Sequence, residues 1–480
     1  MAQTDAEPLP ILDSNAEMKP VEVQSAPPLG APTAQTVRPP MFPQFREHFR
    51  GIVEAILAAV EPGDAVVRSW PTEPAVAESL RKGVMVAVGK ASIAMARAAV
   101  ERCGVKPSVG VAIAPAGTRI PASLHDAGVR LFEADHPLPT QRNLIAARAA
   151  GDAARLASSR RLPLLAMISG GTSAHLTFPE RGLTLSDIRN VTEALLKSGA
   201  TIAELNVVRT CCEQLKGGGL ARLAAPSTVY GMILSDVLGD PVKVIGSGPT
   251  ADGRPLPTLA MRVLETRGVV DAAPNVTAKL RAMIERPAPP PPVVENALNM
   301  IVGSNTTAVV GARDALEKLG YLVAEARMNV DGEARVLGQA FATSLLRARE
   351  ANPGKAVAVV WGGETTVTVG QSSKGFGGRN QEGALAAAIG LAGRQTVAGM
   401  FYATDGADGL APAGARPHAG AIITGESAGN ARAAGVDPAK ALAMHDSRAF
   451  VDAAGAGMAS RPTGTNVNDV WVGLAYAEPK

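Results

Sequence analysis

The sequence predicts an α/β protein of two domains, the first built on a Rossmann-like, mostly parallel sheet and the second smaller. Short apolar runs alternate with amphipathic helical stretches along most of the 480 residues, which is typical of parallel strands covered by helices on both faces. At 286–292, five prolines in seven residues interrupt this rhythm, and such a run is extended and semi-rigid. We therefore expect a first domain at 44–285, a linker at 286–295 and a second domain at 296–478.

The first domain is predicted to start with an amphipathic helix and then to alternate strands with helices. The apolar runs predict strands at 84–88, 109–114, 129–133, 164–168 and 228–234. Helical periodicity predicts helices at 44–60, 92–102, 139–158, 185–198 and 201–212.

After the proline-rich segment the same rhythm begins again. Strands are predicted at 298–302, 321–324, 356–361, 397–403 and 470–474, with a hairpin-like stretch at 364–369. Helices are predicted at 307–319, 333–349 and 381–391.

Composition and charge exclude several classes of protein. Lys and Arg number 47 against 44 Asp and Glu, and the net charge of +3 is spread along the chain. Because aromatic residues make up only 3%, the chain lacks both the basic stripe and the stacking platforms of nucleic-acid-binding proteins. No apolar run reaches the roughly 18 residues that cross a bilayer. We expect no nucleic-acid partner and no membrane association.

The cysteines and the N-terminal segment predict a cytoplasmic protein. Cys103, Cys211 and Cys212 are an odd number without a CxxC pattern, which is typical of reduced thiols. The first 43 residues hold nine prolines and five acidic residues, which predicts a disordered leader at 1–43. This segment has neither the basic start and apolar core of a secretory signal nor the Arg-rich, acid-poor composition of a mitochondrial presequence.

Three loops of the first domain follow predicted strands, where ligands of open α/β sheets collect. Lys90 follows a glycine turn at a helix start, where N–H groups and an ammonium favour an anion. The turn from Ser169 to Ser173 is rich in glycine and hydroxyl groups and suits phosphates. Asp236 ends a strand, and its carboxylate could hold Mg²⁺ or accept a proton. Each loop taken alone is also typical of an ordinary turn or helix cap.

Three polar loops of the second domain extend this pattern. The segment 377–382 places Arg379 and Asn380 at the start of a helix, and 404–409 places Asp405 and Asp408 between glycines. A third loop at 462–469 is rich in Thr, Asn and Asp. Together the six loops predict a cleft for an anionic ligand between the two domains.

These loops, in this order, resemble those of the class II glycerate 2-kinases, whose N-terminal domain is followed by a smaller α/β domain of the MOFRL type. The matching motifs span about residues 45–475: Val-Gly-Lys-Ala at 88–91, Ile-Ser-Gly-Gly-Thr-Ser-Ala at 168–174, Ser-Gly-Ala-Thr-Ile at 198–202, Leu-Lys-Gly-Gly at 215–218, Leu-Ser-Asp-Val at 234–237, Ser-Gly-Pro-Thr at 247–250, Gly-Gly-Arg-Asn-Gln-Glu at 377–382, Thr-Asp-Gly-Ala-Asp-Gly at 404–409 and Pro-Thr-Gly-Thr-Asn-Val-Asn-Asp at 462–469. The resemblance implies phosphoryl transfer from ATP, with Mg²⁺, to the 2-hydroxyl of D-glycerate, giving 2-phosphoglycerate, at an active site in the interdomain cleft.

Roles for individual residues follow from the resemblance, because phosphoryl transfer depends mainly on positioning and charge stabilisation. Lys90, Arg379 and Asp236 are the expected catalytic residues, and Asp236 and Asp405 both remain open for the metal and base roles. The expected ATP-binding residues are Ser169, Gly170, Gly171, Thr172, Ser173, Asn380, Thr463 and Asn466. The expected partners are ATP and a small hydroxy acid, and the expected assembly is a monomer or a homodimer.

Some residues depart from the family pattern and leave alternatives open. Thr210-Cys211-Cys212 stand where Lys-His-Leu is usual, Thr172 where a third glycine is typical, and His175 where Leu is common. A kinase for a related hydroxy acid or sugar acid is one alternative. The other is an NAD(P)H-dependent hydroxypyruvate reductase, a name often given to family members. Such a reductase would need a GxGxxG turn after a strand, with an acidic residue about 20 positions further on, and the sequence has no such turn.

Overall fold

The computed structural model describes residues 41–287, 289, 291–369 and 375–476. The leader predicted at 1–43 lies outside these residues up to position 40, so that part stays a prediction. Its end belongs to the fold, because Phe42–Gln44 form a 3₁₀ turn and the Phe42 ring meets Tyr476 edge-on at a centroid distance of 5.6 Å.

The first half of the chain carries six strands and twelve α-helices among the residues described. The strands are β1 Val84–Val88, β2 Val109–Pro115, β3 Val129–Ala134, β4 Leu164–Ile168, β5 Val229–Leu234 and β6 Ala297–Gly303. The helices are α1 Phe45–Ala59, α2 Pro62–Arg68, α3 Pro74–Arg81, α4 Ser92–Glu101, α5 Ala122–Asp126, α6 Gln141–Arg160, α7 Thr172–His175, α8 Leu185–Lys197, α9 Ile202–Cys212, α10 Gly219–Ala224, α11 Pro257–Thr266 and α12 Pro274–Glu285.

The second half supplies the other sheet. Its strands are β7 Leu322–Glu333, β8 Val357–Thr366, β9 Val397–Ala403, β10 His418–Thr424, β11 Gly457–Ala459 and β12 Asp469–Ala475. Its helices are α13 Asn305–Lys318, α14 Ala334–Ala351, α15 Arg379–Gly390, α16 Ser427–Ala433, α17 Pro438–Ala443 and α18 Ser447–Ala453.

The first sheet is parallel throughout, in the order β3-β2-β1-β4-β5-β6. β1 and β4 are buried along their whole length, as their uninterrupted apolar sequences predict. The strand order reverses between β1 and β4, and ligands of open α/β sheets bind beyond the carboxyl ends of the strands at such a reversal. Lys90 and the turn at 169–173 follow these two strands.

The second sheet is mixed, in the order β11-β10-β9-β12-β8-β7. β7 and β8 run parallel, whereas β12 runs antiparallel to both β8 and β9. The start of β12 therefore lies beside the ends of β8 and β9, and Asp469 pairs in register with Gly363 and Ala403.

The two sheets share a hydrophobic core. Helices α1 and α13 fill the space between one face of each sheet, and Met167 of β4 and Met400 of β9 belong to the same buried cluster. The opposite faces are covered by α6 and α10 on the first sheet and by α14 and α15 on the second. Because burial of apolar surface is the main stabilising term in folding, we expect the two halves to support each other.

The predicted fold class is confirmed, but the structure corrects the predicted domain boundary. Strand β6, which was expected to open the second domain, pairs in parallel with β5 as the last strand of the first sheet. The proline-rich segment therefore lies between α12 and the last strand of the first sheet, and both belong to the first half of the chain. Prolines cannot donate backbone hydrogen bonds, so the run predicts a break in secondary structure but not a break between domains.

Two further differences concern the second sheet. The hairpin-like stretch predicted at 364–369 is in part the end of β8, which continues to Thr366. Strand β10 was not predicted, because its sequence, His-Ala-Gly-Ala-Ile-Ile-Thr, has a glycine in its interior and β-branched residues only in its last three positions. Within the described residues, no helix has both the length and the apolar character needed to span a membrane.

Candidate active site

At the reversal in strand order, the turns after β1 and β4 are in contact and hydrogen-bond each other. Gly89, with a φ of +112°, lies so close to Ser169 that any Cβ would collide with it. The Lys90 N–H donates to the Gly170 carbonyl at 2.9 Å, and the Ala91 N–H donates to Ser169 Oγ at 3.1 Å. Glycine at position 89 thus allows the close approach that fixes Lys90 beside the neighbouring turn.

The side-chain hydroxyls of the second turn are used within the protein. Ser169 Oγ donates to the Val88 carbonyl at 3.2 Å, and Thr172 Oγ1 donates to the Ser169 carbonyl at 2.7 Å. The backbone N–H groups of Gly170 and Gly171 have no hydrogen-bond partner in the part of the chain that is described. The turn therefore offers backbone N–H groups to an anion, more than the hydroxyls that the sequence suggested.

Lys90 and Asp236 approach the same turn from neighbouring strands. Lys90 is exposed, and its ammonium has no ion-pair partner among residues 41–287, 289, 291–369 and 375–476. A Cβ on Gly170 would lie 2.5 Å from Asp236 Oδ2, so the carboxylate lies directly against the glycine. Burial raises the pKa of Asp236. The positive charge of Lys90 lowers this pKa, and the negative charge of Glu364 raises it.

A buried histidine lies behind this turn. Neither ring nitrogen of His175 has a hydrogen-bond partner within the described chain, and the side chain is inaccessible to solvent. Burial, reinforced by His136 and Lys90, lowers the pKa of His175 to about 4. The rings of His136 and His175 meet edge-on at a centroid distance of 6.3 Å. Both imidazoles lie beside Lys90, and His175 is neutral at physiological pH.

Arg379 stands at the start of α15, but its guanidinium is occupied. Nε and Nη2 donate to the two carboxylate oxygens of Asp469 at 2.6 and 3.2 Å, and Nη1 donates to Glu364 Oε1 at 2.6 Å. Burial opposes the charged form, but Asp469 and Glu364 hold the pKa of Arg379 above its ordinary value. The guanidinium of Arg379, one of the expected catalytic residues, is thus bound by carboxylates of the protein itself.

Asn380 is buried and connects elements of the second sheet. Asp408 accepts the backbone N–H groups of Asn380 and Gln381 at 3.0 and 2.9 Å, and so caps α15. Asn380 Oδ1 accepts a hydrogen bond from Trp471 Nε1 at 2.7 Å. The second acid of the Asp-Gly-Ala-Asp segment is therefore a helix cap.

The remaining predicted residues shape loops at the same edge of the second sheet. Asp405 is exposed and accepts the Ala407 N–H at 3.1 Å. Thr463 Oγ1 donates to a backbone carbonyl at 2.6 Å, and Asn466 Oδ1 accepts the Asn468 N–H at 3.2 Å. The metal role of Asp405 and the ATP-binding roles of Thr463 and Asn466 stay predictions.

A buried ion network that sequence reasoning did not predict supports Ser173. Glu213 accepts from Lys216 Nζ at 2.7 Å and from Arg209 Nε at 3.4 Å, while Arg209 Nη2 donates to the Ser173 carbonyl at 2.6 Å. Burial lowers the pKa of Lys216 to about 8, against the attraction of Glu213. Ser173 Oγ also hydrogen-bonds Ser247 Oγ at 2.8 Å. The only sequence signal for this network was Lys216 in the Leu-Lys-Gly-Gly motif.

The segment Thr210-Cys211-Cys212, which departs from the family pattern, forms the end of α9. All three side chains are buried on α9, and the two cysteines belong to a cluster formed with α8, α11 and α12. Burial raises the pKa of Cys211 to about 12. Burial also raises the pKa of Cys212, so both thiols favour the protonated form and pack within this cluster.

Asn468 joins the two halves of the site. Its Nδ2 donates to the Asp236 carbonyl at 3.0 Å and to Glu364 Oε2 at 2.9 Å. The structure therefore brings Lys90 and Asp236 of the first sheet to the Glu364–Arg379 pair of the second. Glu364, Asn468 and Asp469 were not assigned from the sequence, although each lies at the edge where β8 and β12 meet.

Comparison with known proteins identifies the family. One model, described as a domain of unknown function (DUF4147), matches residues 48–281, and the MOFRL family matches residues 357–469. A D-glycerate 2-kinase of Thermotoga maritima is 34% identical over 429 residues, covering 88% of this chain and 96% of that protein. The chain belongs to the glycerate 2-kinase family.

This membership confirms the resemblance that the motifs predicted. The crystal structure of a glycerate kinase from T. maritima matches this glycerate 2-kinase family member with a TM-score of 0.79 and 32% sequence identity, covering 90% of this chain and 100% of that chain. A relative from Agrobacterium vitis, 34% identical over 428 residues and covering 88% of this chain and 93% of its own length, bears the name of a hydroxypyruvate reductase.

Proposed function

We propose that this protein transfers the γ-phosphoryl group of ATP to the 2-hydroxyl of D-glycerate and releases 2-phosphoglycerate and ADP. The observation that carries the proposal is the Lys90 side chain next to Gly171, with Asp236 directly against Gly170. Among the described residues the Lys90 ammonium has no ion-pair partner and the N–H groups of Gly170 and Gly171 have no acceptor. A cation and free N–H groups at the reversal in strand order favour a phosphate. A neighbouring carboxylate supplies a ligand for a metal or an acceptor for a proton.

The residues account for each part of the transfer. The 2-hydroxyl oxygen forms a bond to the γ-phosphorus while the bond from that phosphorus to the β,γ-bridging oxygen breaks, and ADP leaves with the electron pair. Lys90 and the glycine N–H groups stabilise the negative charge of the transferred group. The hydroxyl proton passes to Asp236, or to solvent where Asp236 is a metal ligand.

The carboxylates of the cleft fit Mg²⁺ in the form that kinases use. Such an ion takes one or two carboxylates, several waters and the phosphates of the substrate. Across the described residues there is no group of three or more His, Cys, Asp or Glu that could enclose a metal. Asp236, which lies against Gly170, would supply one carboxylate of the smaller set. A bound ion would neutralise phosphate charge.

A substitution distinguishes the two roles open to Asp236. If Asp236 is a metal ligand, Asp236→Asn should raise the Mg²⁺ concentration needed for half-maximal rate. If Asp236 is the base, that concentration should not change.

Product identification tests the proposal. The protein is incubated with ATP, Mg²⁺ and D-glycerate, and the position of the new phosphate is read by ³¹P NMR while ADP release gives the rate. L-glycerate and several sugar acids are assayed in parallel. We expect phosphorylation at C2 of D-glycerate. A product phosphorylated at C3 would contradict the proposed position of transfer. Faster turnover of another acid would contradict D-glycerate as the proposed acceptor.

The same preparation separates the kinase from the reductase named for one relative. The turn after β1 reads Gly89-Lys90-Ala91 and lacks the glycine pattern of a dinucleotide site. We expect no oxidation of NADH or NADPH with hydroxypyruvate. Rapid oxidation by the pure protein, without phosphoryl transfer from ATP, would contradict the proposed function.

A further inference from the structure

Two asparagines of the second sheet hold the loop that carries Asp236. Asn468 has a φ of +66° and Asn329 a φ of +57°, a region that few residues other than glycine adopt and that asparagine tolerates best. Asn468 Nδ2 donates to the Asp236 carbonyl at 3.0 Å, and Asn329 Oδ1 accepts the Gly239 N–H at 2.9 Å. The loop after β5 is thus attached at two points to the other half of the molecule.

The side chain of Asn468 is committed to this attachment. An asparagine amide has two N–H donors, and here one binds Asp236 of the first sheet while the other binds Glu364 Oε2 of the second at 2.9 Å. Asn468 is only 3% exposed, and its Oδ1 is buried with no partner among the described residues. One buried amide therefore connects two carboxylate-bearing residues of the cleft.

The backbone of Asn468 is fixed by its neighbours. Its N–H donates to Asn466 Oδ1 at 3.2 Å, and its carbonyl accepts both the Thr404 N–H at 3.1 Å and Thr404 Oγ1 at 2.7 Å. The left-handed residue lies immediately before β12, whose first residue, Asp469, holds Arg379. Consecutive residues therefore bind the Asp236 loop and the arginine of α15.

Asn329 provides a weaker second point. It lies where the register of β7 against β8 shifts between Arg327 and Val330, which is typical of a bulge that redirects a side chain. Its hydrogen bond to Gly239 is exposed to solvent, so it contributes less than the buried amide of Asn468.

Building on the proposed function, we propose that Asn468 is a positioning residue for phosphoryl transfer. It holds the Asp236 loop next to Glu364 and thereby places the Asp236 carboxylate against Gly170, with Asn329 as the weaker attachment. Asparagine combines tolerance of the left-handed backbone with two donors. Glycine would keep the backbone and lose the donors. Aspartate would keep the backbone and the shape but would place a third carboxylate beside Glu364 and Asp236.

These differences define the experiment. Asn468→Gly and Asn468→Asp should lower kcat by about 10- to 100-fold, since displacement of a reacting group by about 1 Å has an effect of that size, while KM for ATP stays near that of the parent. Arg161→Gly is the matched control, because Arg161 also has a positive φ, of +53°, and is exposed at the end of α6. It should leave kcat unchanged. Full activity of Asn468→Gly, with loss only in Asn468→Ala, would show that backbone conformation alone matters and would overturn the inference.

Hydrogen–deuterium exchange tests the attachment without relying on activity. Amides at 235–243 should exchange faster in Asn468→Gly than in the parent, and to a smaller extent in Asn329→Gly, because opening of this loop becomes less costly. Amides of β1 should be unaffected. Unchanged exchange at 235–243 in both variants would overturn the inference even if the parent phosphorylates D-glycerate. A parent without that activity but with the expected exchange change would overturn the proposed function and leave the attachment intact.

Discussion

Lys90 and Arg379 look alike in the sequence and differ in the structure. Each follows a glycine at the start of a helix, one in each half of the chain. Lys90 is exposed and unpaired within the described residues, whereas Arg379 donates three hydrogen bonds to Asp469 and Glu364. The comparison teaches that a cation at a glycine turn is available to a ligand only if no carboxylate has been folded against it. Lys90 is thus expected to bind substrate, and Arg379 to organise the site.

The largest effect is expected at Lys90. Lys90→Ala should lower kcat by roughly 10²–10³, the scale for removal of a preorganised donor from a developing charge. Its melting temperature should stay near that of the parent, because the side chain is exposed and makes no ion pair within the described chain. Lys82→Ala removes a lysine that is also exposed and follows a helix end, and it should leave kcat unchanged. A fully active Lys90→Ala would break the distinction between the two cations.

Arg379→Ala should differ by losing stability as well as activity. Removal of the guanidinium leaves Asp469 buried and Glu364 partly buried without their counter-ion, which costs about 3 kcal/mol of unfolding free energy. Arg155→Ala breaks an exposed ion pair with Asp152 and should cost less than about 1 kcal/mol. Denaturant titration measures both. If Arg379→Ala kept parental stability while losing activity, Arg379 would be as free as Lys90.

The pH dependence of stability tests the protonation state of His175, whose pKa is affected by Lys90. The pKa of His175 is about 4 in the folded protein, below the ordinary histidine pKa of 6.5, so between these two pH values the unfolded chain binds more protons. Stability should therefore fall as pH decreases, by about 2 kcal/mol between pH 6.5 and 4.5 from this residue alone. His175→Leu should lose that component, and His125→Gln, at an exposed position, should retain it. Equal pH dependence in parent and His175→Leu would show that the imidazole is not held neutral.

The smallest effect is expected at the N-terminus. Deletion of residues 1–40 should leave kcat unchanged and alter the unfolding free energy by less than about 1 kcal/mol. Deletion through Gln44 should cost more, because the Phe42 ring contacts Phe45 and Tyr476 at centroid distances of 5.3 and 5.6 Å. Equal losses from the two deletions would show that the first 40 residues contribute to the fold.

Local patterns predicted the elements around Lys90 well. The apolar runs of β1 and β4 and the glycine turns that follow them are properties of short segments, so periodicity and turn chemistry reveal them. The proline run predicted a break but could not show that β6 returns to the first sheet, because strand pairing depends on distant residues.

Distant contacts also explain what was missed in the second half. Asp469 lies 90 residues from Arg379 in the sequence, and no local pattern indicates that the two pair. The role of Asp408 as a cap for α15 was not predicted, because it depends on a helix that begins about 28 residues earlier in the sequence. Asn468 gains its importance from a left-handed backbone, which composition does not reveal.

The central claim is that the side chain of Lys90 binds the substrates, and chemical labelling tests it most directly. Lysines of the protein are modified with an amine-reactive reagent, and the extent at each site is read by mass spectrometry with and without Mg²⁺, an unreactive ATP analogue and D-glycerate. We predict that Lys90 is modified in the free protein and protected by the ligands, while Lys82 is modified equally in both states. Equal modification of Lys90 with and without the ligands would contradict the account.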